Sequence, residues 1–179
     1  MKLGRCDMIR AEHSRKNRIW VKNMKDHGER AEELFREGYN CAQAVFCAFA
    51  DVTGYDLAAS ARMASSFGAG LGRLRETCGA VSAAALVLGI AMGYDDPADA
   101  EAKKRHYALV RAYAERFKEM HASICCRELL TQAGLQPETG GDPEPRSEAF
   151  YRKRPCPRLI RDAARLLDEF LARGGGGSQ

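Results

Sequence analysis

The stretch from Gly68 to Gly93 constrains the fold more than any other: a glycine-rich approach delivers one cysteine, Cys78, to the start of a nearly unbroken apolar run. The run Gly79 to Met92 contains no proline and, with Ser82 as its one polar side chain, predicts a helix. Its 14 residues fall short of the roughly 20 apolar ones that a membrane span needs. A core helix is the consequence. Thr77 is placed as its N-cap. Gly79, Ala80, Ser82, Ala83, Ala84 and Ala85 keep its first turns thin, so a second backbone can approach Cys78 closely. Gly68, Gly70 and Gly72 permit φ > 0 and can aim amides at an anion or a sulfur held near that helix start. Together with Gly79 they are the candidate cofactor-binding positions. The plain alternative is a tight turn between two helices.

The other periodic segments read as helices too, and a length of 179 residues with 45% hydrophobic content suits a single core. The expected fold is therefore all-α: one compact domain of about six helices with a long loop before the last. From Lys25, Ala31, Leu34 and Phe35 share a face, and Gly38 is placed to end that helix. Asn40 caps the next, in which Cys41, Ala44, Val45, Ala48 and Phe49 repeat at helical spacing until Gly54. Leu57 to Phe67 form a short helix. Asp95-Asp96-Pro97 predicts a helix start followed by a long amphipathic helix to about Met120. Ser123 is placed to cap a helix beginning at Ile124. Leu135 to Pro155 hold four of the six prolines and read as a long loop, after which Cys156-Pro157 opens the final amphipathic helix. Residues 1–24 read as a loosely held basic arm and residues 174–179 as a flexible tail.

Charge and cysteine usage narrow the function. Net charge is +4, but the first 23 residues hold seven Lys/Arg against two Asp/Glu, leaving 21 against 22 for the rest. The folded body is thus nearly neutral and does not read as a nucleic-acid binder. Seven cysteines without an evident secretory signal predict a reduced, cytoplasmic setting and metal or redox chemistry rather than a disulfide framework. Cys41, Cys78, Cys126 and Cys156 each fall in the first turn or at the cap of a predicted helix. There the unpaired amides and the helix dipole favour a thiolate by about 0.3–1 kcal/mol. Cys78 is expected to be the most reactive of them, given its small neighbours, the glycine-rich amides and nearby Arg75. Arg73, Arg75 and Glu76 are otherwise expected in solvent. Cys47 is expected to act as a small buried hydrophobe, and His106 and His121 as structural histidines.

The segments Gly38-Tyr39-Asn40-Cys41-Ala42-Gln43-Ala44-Val45, Phe67 to Gly72, Thr77-Cys78-Gly79-Ala80 and Cys126-Arg127-Glu128-Leu129-Leu130, with a final cysteine before a helix, resemble the C_GCAxxG_C_C family. The resemblance spans about Lys25 to Arg173. It implies a redox-active protein in which Cys41, Cys78, Cys126 and Cys156 are the functional cysteines, leaving Cys6, Cys47 and Cys125 outside the pattern. The chain departs from it at Ala83, where the family pattern expects glycine.

Two uses of the four cysteines follow. They exchange thiols and disulfides, as in a thiol-based oxidoreductase, or they hold an iron–sulfur cluster for electron transfer. The partner would be a redox protein or a small-molecule oxidant or reductant. C-x-x-C and C-x-x-C-H are both absent, which removes the thioredoxin-type and c-type haem motifs. A zinc site ranks third, because such sites favour closely spaced ligand pairs. A helical interaction protein without chemistry is the remaining alternative.

Overall fold

The computed structural model describes residues 26–174. In chain order its helices are α1 (His27–Arg36), α2 (Cys41–Ala48), α3 (Ala50–Thr53), α4 (Leu57–Ala64), a 3-10 turn (Ser65–Phe67), α5 (Gly79–Met92), α6 (Ala100–His121), α7 (Cys126–Gln132), α8 (Glu148–Lys153) and α9 (Cys156–Gly174). Among the described residues the only bridge is an isolated antiparallel pair, Thr77 with Cys125, so the all-α expectation holds. The basic arm of residues 1–24, Cys6 within it, and the tail beyond Gly174 lie outside the described residues.

Among the described residues nine α-helices, besides the 3-10 turn, replace the expected six or so. One arises because the second helix breaks at Phe49 and restarts as α3, before Gly54 closes it with φ 76°. Another, α8, lies inside the expected loop, where the Ser147 hydroxyl accepts from Phe150 N at 3.2 Å. Three starts also move. Asp96 caps a turn by accepting from Ala98 N, so the helix expected at Pro97 begins at Ala100, with Asp99 accepting from Ala102 N at 2.7 Å. Ser123 accepts from Cys125 N at 2.8 Å and donates to Glu128, which delays α7 to Cys126. The core helix takes Cys78 rather than Thr77 as its N-cap, with no side-chain cap bond.

Local chemistry explains the ends that fell as expected. At α1, Gly38 adopts φ 107°, its N–H donates to Phe35 O, and Tyr39 N–H donates to Leu34 O, the paired bonds of a Schellman motif. At α2, the Asn40 side chain accepts from Ala42 N and Gln43 N while Gln43 Oε1 accepts from Asn40 N, a complete capping box.

The core is centred on α2, which packs against α1, α4, α5 and α9. Phe46, Phe49, Val45 and Leu34 are fully buried there, each burial contributing about 1.5–3 kcal/mol. The amphipathic α9 lies over α1 and α5, and Tyr113 of α6 donates its hydroxyl to Ala163 O at 2.8 Å. An ion triad built on buried His27 pins three elements: His27 of α1 stacks on Phe49 at 4.1 Å and sits 2.6 Å from Asp168 of α9 and 3.2 Å from the exposed Asp51 of α3. α5 is buried or half-buried along its length except at Gly89 and Ile90, which are exposed. No helix among the described residues is long and apolar enough to cross a membrane.

Candidate functional site

Four chain segments each bring a cysteine to a helix start. Cys41, Cys126 and Cys156 are the first residues of α2, α7 and α9, and Cys78 is the N-cap of α5. Two of these starts are zipped together by backbone. Arg127 N–H donates to Arg75 O, Cys126 N–H to Glu76 O and Cys78 N–H to Ile124 O, at 3.0, 2.6 and 2.7 Å. That short ladder holds the beginnings of α5 and α7 side by side. All four cysteines line one cavity of about 410 Å³. Each of the four is a free thiol.

The third start is drawn in by the absence of a side chain. A Cβ built on Gly79 would lie 2.6 Å from Cys41 Sγ and 2.6 Å from Phe67 O. Only glycine lets α2 place its first sulfur against the start of α5. Gly70 does the same for α7, since a Cβ there would meet Cys126 Cβ at 2.8 Å.

The glycine-rich approach differs from expectation in what its amides do. Gly70 and Gly72 adopt φ 73° and 54°, but so do the non-glycine residues Ala69, Leu71 and Arg73 at 55°, 62° and 67°, each at a cost of about 1–2 kcal/mol. Gly68 is not left-handed; a Cβ there would strike the Asn40 side chain at 2.6 Å, so this glycine makes room for the cap of α2. The N–H groups of Gly68 and Gly72 donate to Ser65 O and Ser66 O. Those amides stiffen the turn and are not free for a ligand. Gly68 and Gly72 line the cavity; Gly70 and Gly79 shape it from behind.

Electrostatics overturn the expectation for Cys78. Burial pushes its thiol well above the ordinary range, and the neighbouring thiols of Cys41 and Cys126 push the same way. Desolvation outweighs the helix start because Cys78 is only 6% exposed. Burial also pushes Cys156 up to about 12 and raises Cys126. At Cys126, however, the Arg75 guanidinium pulls against that rise, so Arg75 serves Cys126 rather than Cys78. In all three cases the thiol neighbour with the largest effect is Cys41. Cys47, buried in α2 and pushed up to about 11, lies outside the cavity and behaves as the expected hydrophobe.

Several wall residues were invisible or misread in the sequence. Arg75 was expected in solvent but is 3% exposed, its Nε donating to Glu138 O at 2.9 Å, while Arg73 Nε donates to Gly140 O at 2.7 Å. The long loop therefore folds back onto the glycine-rich turn. Arg146 extends from that loop between the Phe35 and Phe150 rings, 4.6 and 4.7 Å from their centroids. Arg154, which pairs with Glu144, lies beside Cys156 and opposes the upward shift of its thiol. The only hint of these two was arginine at the end of a proline-rich loop that closes on a cysteine. His106 and His121 do not line the cavity.

Among the described residues no three or more His, Cys, Asp or Glu side chains are arranged to hold a metal ion. Single-ion zinc, which needs its ligands gathered around one point, does not fit this arrangement. Four sulfurs spread over one cavity wall leave room for a larger group.

A family described as "Putative redox-active protein (C_GCAxxG_C_C)" matches residues 39–170, which include all four cavity cysteines. No curated protein and no solved structure matches the chain.

Proposed function

We propose, from the premise that this chain belongs to the C_GCAxxG_C_C family, that Cys41, Cys78, Cys126 and Cys156 work as one redox centre by thiol–disulfide exchange. The observation that carries the reading is convergence: four helix starts far apart in sequence bring their cysteines to the wall of one cavity, where Cys41 is the thiol that acts most strongly on each of the other three. A wall of thiols packed for stability alone has no need of a shared solvent-reaching space.

Cys126 is the attacking sulfur, since Arg75 beside it favours the thiolate that burial opposes. It gives its proton to solvent and attacks one sulfur of a substrate disulfide. The substrate S–S bond breaks, a mixed disulfide forms and one thiolate leaves to be protonated. Cys41 then attacks the Cys126 sulfur and expels the second substrate thiol. Two protein thiols become one disulfide and the substrate disulfide becomes two thiols. Cys78 and Cys156 form the second dithiol, reached from Cys41 by the same exchange.

Addition of glutathione disulfide to reduced protein tests this, with thiols counted and bonds mapped by mass spectrometry. The first bond should join Cys41 to Cys126, with Cys47 left free. Oxidation that spares the cavity or falls equally on Cys47 would refute it. A second reading rests on the number of sulfurs: a dithiol needs two, whereas four around a cavity of about 410 Å³ suit an iron–sulfur cluster. Such a cluster would supply one-electron transfer, with the four thiols as its ligands. Iron and acid-labile sulfide in anaerobically purified protein would favour this second reading, and their absence with full thiol content the first.

A further inference from the structure

The cavity wall is unbalanced in charge. Arg73, Arg75, Arg146 and Arg154 line it against a single carboxylate, Glu144, which already pairs with Arg154. Arg75 matters most, because it is 3% exposed and meets no carboxylate among the described residues. Its Nε donates to the Glu138 carbonyl and its guanidinium also reaches the Cys126 sulfur, but among the described residues it has no charged acceptor. The described residues do contain buried side-chain nitrogens and oxygens without any partner, at Thr53, His106 and His121, but Arg75 is not one of them. The guanidinium lines the cavity beside Cys126, with donors to spare beyond the Glu138 carbonyl. A guanidinium taken out of water without an anion is costly to keep.

We infer that the cavity takes a small organic anion, a carboxylate or phosphate ester whose acidic group is clasped by Arg75, with Arg73 and Arg146 at the rim. A planar fork with free N–H groups suits the paired oxygens of such a group. About 410 Å³ holds a small metabolite and not a polypeptide domain. As the substrate class of the thiol centre this inference rests on the redox reading: the substrate is a low-molecular-weight anionic disulfide or thiol, exchanged as described above.

Alkylation separates the two claims, because it needs no electron transfer. In both reagents the Cys126 thiolate displaces iodide and its proton goes to solvent, but iodoacetate carries a carboxylate and iodoacetamide does not. The ratio of iodoacetate to iodoacetamide rates at Cys126 is measured by peptide mass spectrometry on reduced full-length protein. It should exceed the ratio in urea-unfolded protein by about tenfold or more, the scale of one hydrogen bond to a charged group. Millimolar inorganic phosphate should erase the excess. Arg75→Met should abolish it and Arg75→Lys should keep part of it. Should Arg75→Met fail to fold, Arg73→Gln and the phosphate competition in the natural protein carry the same test. A ratio no higher than in the unfolded chain, or resistance of Cys126 to both reagents, overturns the anion site. A raised ratio in protein that exchanges no disulfide would keep the anion site and remove the redox reading alone.

Discussion

Two glycines on α5, ten residues apart, should respond to the same substitution with opposite signs. At Gly79 an added methyl group would sit 2.6 Å from Cys41 Sγ and 2.6 Å from the Phe67 carbonyl oxygen. Ordinary carbon contacts lie at about 3.5–4.0 Å, so the overlap is about 1 Å on two sides. The Phe67 side of the clash is backbone and cannot rotate away. Overpacking of this kind costs about 1–3 kcal/mol, or a fall in Tm of several degrees for a chain of this size, at about 2–4 °C per kcal/mol. At Gly89 nothing lies within 4 Å of the added carbon, and the residue is exposed in mid-helix. There Gly→Ala should stabilise by up to about 1 kcal/mol through the lower entropy of the unfolded chain and better helix propensity. Thermal and urea unfolding of Gly79→Ala and Gly89→Ala check the pair. Alkylation of Cys41 provides a second readout, since its sulfur must move in the first variant and not in the second. A Gly79→Ala protein as stable as Gly89→Ala, with Cys41 reacting at its original rate, would refute the claim that this glycine sets the sulfur's position.

Replacing the α2 cap, Asn40→Ala, removes acceptors for two amides and the bond from Asn40 Nδ2 to Ser65 O. It should cost about 0.5–2 kcal/mol in urea unfolding and loosen Cys41 along with it. His27 is raised from 6.5 to about 9 by Asp168 and Asp51 against the opposing effect of burial. Its stabilisation is therefore complete below pH 6.5 and lost as pH climbs to about 9, at most about 3 kcal/mol. The stability gap between the natural protein and His27→Gln should shrink across that window, and a gap that widens would reverse the sign of the triad's role. With Cys47 pushed up to about 11 and buried, iodoacetamide at pH 8 should leave it unlabelled in folded protein while Cys126 reacts. Labelling of Cys47 first, followed by mass spectrometry, would contradict the burial on which these assignments depend.

What the sequence determined by itself was local. A helix end is decided within about four residues, by the groups that satisfy its free amides and carbonyls, so Gly38 and Asn40 announced the end of α1 and the start of α2 before any packing was known. Helical periodicity and turn residues likewise put Cys41, Cys78, Cys126 and Cys156 in the first turn or at the cap of a helix, although only the start at Cys41 has a full capping box. Where local signals competed, the boundaries slipped: Asp96 took Ala98 N, Ser123 took Cys125 N, and both helices began later. Properties that depend on distant neighbours could not be read this way. Arg75 looked like a surface residue until the loop carrying Glu138 and Gly140 folded over it, and no residue near it in sequence records that covering. The reactivity expected of Cys78 rested on its own helix end, yet three other helix starts close around it, and their burial and thiols raise its pKa instead. Thiolate stabilisation by a helix end acts over one turn, whereas desolvation is summed over everything packed around the sulfur, and only the tertiary structure decides what that is.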